Sequence, residues 1–169
     1  MSQLQAFALS KPFNLILFNL LWAGSVIGRD SLLLLTIPVL AAYICFLVVV
    51  GAIRVHRLLM PAVLGITLDC AFTATGVYAF SEAPFFIPIW LITLWFAFAT
   101  TLPLSLTYLG RNRLLAAICG AFLLPFNYAV GERLGAVEFA EPYFLSVLLI
   151  GLVWLIALPL LFELAGQNA

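Results

Sequence analysis

Apolar residues run along this chain in long, nearly unbroken blocks, and polar residues gather in the short stretches between them. Six blocks can be drawn, at about residues 13–27, 32–53, 61–80, 85–109, 114–130 and 142–164. Apolar runs of ~18 or more residues with few charges are the mark of membrane-spanning helices. Backbone groups in lipid must be satisfied within their own segment, which favours helices. The alternating decamers of an outer-membrane barrel are absent. The pattern therefore predicts an all-α, polytopic transmembrane helical bundle of about six spans, with residues 1–169 as a single integral membrane domain.

The punctuation supports those boundaries. Asp30 and Ser31 stand where either could cap the second span. Pro61 opens the third, Pro84 or Pro88 lies near the first turn of the fourth, and Pro142 opens the sixth. Pro38, Pro103 and Pro159 fall inside spans, without a convincing internal repeat. Lys11 ahead of an apolar block could also begin a signal peptide. More spans follow it, with no small-x-small cleavage site before a soluble stretch, so a retained first helix is expected.

Composition strengthens the membrane assignment. Hydrophobic residues make up 66% of the chain and charged residues 8%, with mean hydropathy +1.23. A soluble domain carries roughly 25% charged residues. Net charge is zero, which leaves no basic field for nucleic acid. Cys45, Cys70 and Cys119 sit in apolar runs without C-x-x-C spacing, so neither a disulfide framework nor a metal site is indicated, and no cofactor is expected.

Loop charge gives an orientation. Lys11, Arg54, Arg57, Arg111 and Arg113 fall on one side; Arg29 and Arg133 fall on the other, with Asp30, Glu82, Glu132, Glu138 and Glu141. The richer side should be cytoplasmic, with both termini inside, as in a bacterial inner membrane. His56 then lies in the basic loop RVHR, suited to lipid headgroups. Residues 131–141 form the one longer connection, on the outer side.

Candidate chemistry comes from polar residues inside the blocks. Asp69, in GITLDCAFTATG, lies ~12 Å along a helix from Pro61, near mid-bilayer. An aspartate at that depth costs roughly 2.5–3.5 kcal/mol on insertion scales, so it should face the bundle interior. Gly65, Thr73 and Gly76 share its helix face, and small residues there admit a close neighbour. In the fourth block Thr101, Ser105 and Tyr108 form a polar stripe that Trp95 and Phe98 extend. Asn19 and Trp22 on the first span, and Asn127 and Tyr128 after Pro125 on the fifth, reach comparable depths. The candidate ligand-binding set is thus Asn19, Trp22, Asp69, Thr73, Trp95, Thr101, Ser105, Asn127 and Tyr128. Each has a plainer role open to it: Asp69 can lock the bundle through Asn19, Thr101 or water, and Thr101 and Ser105 can bond their own helix. Trp90 and Trp154 suit packing or the membrane interface, and Glu132 with Arg133 suits the outer surface.

Taken in order, GITLDCAFTATGVYAF, LWFAFATTLPLSLTYL and PFNYAVGERLGA give the chain a family resemblance. It resembles the bacterial inner-membrane family catalogued as domain of unknown function 2878, over nearly its whole length. The marks are Asn14 and Trp22; Asp69; Trp90, Leu94, Trp95, Thr101, Leu102, Ser105 and Leu106; and Tyr128, Ala129 and Gly131. The glycine that such proteins often carry before the fifth-span proline is Leu124 here. The resemblance implies a polytopic membrane protein with no assigned activity. The family's genomic setting, beside fatty-acid-modifying and photo-oxidative stress genes, implies lipid biology.

Three functions fit these residues. A small bundle could bind or move a lipid-like or apolar molecule at a polar site centred on Asp69, with membrane lipids as partners and a homodimer completing the path. It could instead be a scaffold or partner subunit in a membrane complex. Or it could modify lipids with Asp69 as acid, aided by Tyr128 or Asn127. His56 is the one histidine, so histidine-rich di-iron chemistry lacks ligands and a Ser–His pair lacks a partner serine in its span.

Overall fold

Segments this apolar must satisfy their own backbone bonds in lipid, and they do so as helices. The computed structural model describes residues 3–81 and 86–167. A short α1 (Gln3–Ala8) leads into α2 (Lys11–Gly28), capped by the Ser10 hydroxyl accepting from the Phe13 N–H at 3.3 Å. A 3-10 turn, Arg29–Leu32, joins α2 to α3 (Leu33–Val49). There follow α4 (Val55–Ala74), β1 (Tyr78–Ala79), α5 (Ile89–Thr101), α6 (Thr107–Gly110), α7 (Arg113–Arg133), β2 (Glu138–Phe139) and α8 (Tyr143–Leu164).

Among the described residues, four helical segments are long and apolar enough to cross a membrane: Lys11–Val49, Val55–Ala74, Arg113–Arg133 and Tyr143–Leu164, with Ile89–Thr101 apolar but shorter. The first of them folds back on itself. Asn14 and Tyr43, 29 residues apart, meet at 3.3 Å; in one straight helix they would stand ~44 Å apart. α2 and α3 are therefore antiparallel neighbours that reverse at Arg29–Leu32.

Cross-chain bonds define two ends of the bundle. At one, Arg113 pairs with Glu163, and the Arg57 guanidinium packs against Gly166. At the other, Arg29 Nη2 donates to the Leu134 carbonyl at 3.0 Å, and β1 pairs antiparallel with β2, Tyr78 opposite Phe139. The Ser146 hydroxyl bridges the Val77 and Ala140 carbonyls, fastening this small sheet to α8.

α7 and α8 share the most extensive helix–helix contact among the described residues. A Cβ on Gly120 would stand 2.0 Å from the Trp154 carbonyl oxygen, and one on Gly151 2.8 Å from that of Ala121. Only glycine at both points lets the backbones approach this closely. α5 lies against α2 and α4, and α4 also touches α8, so the core runs between the α2–α5 group and the α7–α8 pair.

Several boundaries differ from the sequence pattern. α4 starts at Val55, not Pro61, because a proline removes one backbone bond without ending a helix whose neighbours pack around it; Pro61 is fully buried. Asp69 consequently lies ~8 Å from the C-terminal end of α4 rather than at its middle. The fourth block is broken: α5 stops at Thr101, and the Leu104 and Leu106 N–H groups both turn back to the Thr101 carbonyl, where Pro103 cannot continue a helix. Neither Asp30 nor Ser31 caps α3 by its side chain; the Ser31 hydroxyl donates back to the Gly28 carbonyl. Glu82, Pro84 and Phe85 lie outside the described residues.

Candidate functional site

Asp69 is completely buried, and three donors from three other elements converge on its carboxyl. The Tyr78 hydroxyl donates to Oδ1 at 2.6 Å, the Tyr128 hydroxyl to the same oxygen at 2.5 Å, and Trp95 Nε1 to Oδ2 at 2.6 Å. One side chain on α4 thus ties together β1, α5 and α7. Charge-assisted bonds of this kind are short and roughly twice as strong as neutral ones. The Tyr78 hydroxyl is pushed well above its ordinary range by burial, and further by Tyr128 and Asp69, so it remains a donor.

Ring packing fixes the donors. Tyr78 and Tyr128 stack at 5.5 Å and 22°, and Tyr78 also stacks on Phe139 across the strand pair. Trp95 stacks on Trp154 of α8 at 5.2 Å and 18°. Trp95 also covers Gly65: a Cβ there would come 2.3 Å from the indole. The small residue expected to admit a close neighbour beside Asp69 admits this ring.

Trp95 and Tyr128 also border open space. Both line a cavity of about 240 Å³ between α2, α5 and α7. Phe18, Trp22 and Val26 form its α2 wall; Trp90, Leu91 and Leu94 join Trp95 on α5; Leu123, Leu124 and Asn127 join Tyr128 on α7. Phe80 and Val137 close the sheet end, and Leu106 and Tyr108 the other. Among the described residues, eight of the 21 that line it are aromatic, against 14% of the chain, so the cavity is enriched in aromatic walls. Leu123, Asn127 and Tyr108 are exposed on the flank of the bundle, so the cavity is a cleft open from the side.

A second buried polar knot was not foreseen. Asn14 Nδ2 donates to Tyr43 Oη at 3.3 Å and to Thr100 Oγ1 at 3.1 Å, while the Ser105 hydroxyl donates to Asn14 Oδ1 at 2.6 Å. It ties α2, α3 and the broken end of α5 together. Asn14 drew notice only as a mark of the family resemblance, because a polar residue at the second position of an apolar block reads as a helix end.

The nine predicted ligand-binding residues divide. Asp69, Trp95 and Tyr128 meet, and Trp22 faces the same cleft. Asn127 lines its mouth, with Nδ2 donating to the Leu123 carbonyl of its own helix. Thr73 donates to the Asp69 carbonyl and Thr101 to that of Phe98, so both serve their own helices. Ser105 joins the Asn14 knot. Asn19 is exposed and bonded to the Leu15 carbonyl, far from the role of Asp69 partner expected of it. Tyr78 was missed: it follows α4 in a strand whose return toward the helix no periodicity reveals.

Asp69 in α4, Trp95 in α5 and Tyr128 after the α7 proline are among the residues on which the sequence resemblance rests. Residues 11–160 match the family described as Protein of unknown function (DUF2878). The chain belongs to that family. No curated protein and no solved structure matches the chain. Membership covers both the Asp69 network and the cleft, and brings no assigned activity.

Proposed function

We propose that this chain is a six-pass bacterial inner-membrane protein, both termini cytoplasmic, that binds a lipid-like or apolar molecule in the cleft between α2, α5 and α7. The observation that carries the proposal is the double use of Trp95 and Tyr128: each presents one side to the cleft and its polar atom to Asp69. Asp69 holds two aromatic walls in fixed positions. Preorganised walls lower the cost of binding an apolar ligand.

Volume and access favour a long amphiphile. Sites that enclose a whole small molecule usually measure ~300–1,000 Å³. At about 240 Å³ and open on its flank, the cleft suits a segment of a longer molecule whose remainder stays in the bilayer. Asn127 gives the mouth one polar contact, since its Oδ1 has no protein partner among the described residues. A hydroxyl-bearing head near the outer third of the bilayer matches it, donating to that oxygen. Six passes are supported by the α2–α3 reversal and by the two bundle ends, and the cytoplasmic placement by Lys11, Arg54, Arg57, Arg111 and Arg113.

Direct acid catalysis by Asp69 is less well supported, because both its oxygens already bond protein donors. The test is mass spectrometry of molecules that co-purify in lipid nanodiscs. Wild type should retain a specific hydrophobic species, and Leu124→Trp, which fills the cleft, should lose it while keeping its melting temperature. Equal retention, or bulk lipid alone in both, would contradict the proposal.

A further inference from the structure

Asn19 lies near the middle of α2, eight residues from its start, and is exposed on the flank of the bundle. One amide N–H goes to the Leu15 carbonyl at 2.8 Å. Oδ1 and the second N–H have no protein partner among the described residues, and Asn19 does not line the cleft. In hydrocarbon an unpaired amide is costly, and nothing in the lipid tails can satisfy it. The surrounding stripe is Ile16, Leu20 and Ile27, all exposed, with Ala23 one turn beyond Asn19. A small residue beside a polar one is what lets a second helix come close enough to bond.

We infer that this face of α2 is a homodimer interface, in which Asn19 of one copy pairs with Asn19 of a second. A carboxamide carries both donor and acceptor. About a two-fold axis along the membrane normal, residues of equal depth oppose each other, and each Nδ2–H can donate to the other Oδ1. Asn19 is thus complementary to itself, whereas a hydroxyl or a carboxylate in its place would not be reciprocal in the same way. Ala23 sits beside it on the axis, and Ile16 and Leu20 close the contact against lipid. The inference stands apart from whatever the cleft holds.

The experiment is energy transfer between labelled full-length chains in vesicles of one zwitterionic lipid, at a series of protein-to-lipid ratios. Wild type should associate as a dimer. Asn19→Leu should weaken association by about tenfold, and Asn19→Gln, which keeps the amide, should recover most of it. Thr67→Leu, at an exposed hydroxyl spent on the Val63 carbonyl, should leave the dimer unchanged. Wild type that stays monomeric in pure lipid would overturn the inference and point to a different membrane helix as the partner. Equal association of wild type and Asn19→Leu would overturn it as well.

Discussion

Tyr78 and Tyr128 stack face to face, ring centroids 5.5 Å apart, with both hydroxyls on one oxygen of Asp69. Tyr78 arrives from the small β1–β2 sheet and Tyr128 from α7, so a single carboxyl oxygen fastens the sheet to a helix. With Trp95 on the other oxygen, the aspartate organises the α4, α5 and α7 contacts from one buried point.

Replacing Asp69 should orphan those donors. Each buried unsatisfied donor costs about 1–3 kcal/mol, so Asp69→Leu is expected to destabilise the fold by several kcal/mol. Asp69→Asn should lose less, since its amide oxygen still accepts from Trp95 while its N–H₂ faces hydroxyls that can accept. Reversible unfolding in mixed detergent micelles gives the comparison; equal losses would contradict the bonding pattern.

Gly65→Ala tests the same centre from the opposite side. Its Cβ would fall 2.3 Å from the Trp95 ring, which is already held by Asp69 and by the Trp154 stack. Overpacking of this kind costs about 1–3 kcal/mol. Loss of stability with a shifted tryptophan emission is expected, and an unchanged spectrum would mean that Trp95 does not cover Gly65.

Gly120→Ala should separate α7 from α8, because no flexible side chain lies between the new Cβ and the Trp154 carbonyl at 2.0 Å. Hydrogen exchange should rise along both helices. Exchange confined to the substituted turn would show that the two backbones are not in contact there.

Much of this was legible in the sequence. The apolar blocks gave the helices, and Asp69, Trp95 and Tyr128 stood out because polar groups are expensive in lipid. What escaped has physical causes. Uniformly apolar helices carry no face preference, so the rotation that turns Asn19 and Asn127 outward could not be read. Thr101 and Ser105 seemed to share a stripe until the Pro103 break sent Ser105 to Asn14. Tyr78 and Phe139 face each other across 61 residues of chain, a pairing local pattern does not encode.

Arg29→Ala removes the bond to the Leu134 carbonyl, which joins the α2–α3 turn to the loop after α7. Amide exchange should increase across residues 134–139 with little change in global stability. Unaltered exchange would mean that the loop is held by the strand pair alone.

The most direct test of the cleft is ¹⁹F NMR of protein labelled with 5-fluorotryptophan in bilayers carrying spin-labelled acyl chains. Four tryptophans give four resonances, assigned by single Trp→Phe variants. Trp90 and Trp95 are both buried but line the cleft, whereas Trp154 is equally buried and does not. Stronger broadening of Trp90 and Trp95 than of Trp154 is expected if acyl chains enter between α2 and α7. Trp90 and Trp95 as sharp as Trp154 would contradict a lipid-accessible cleft.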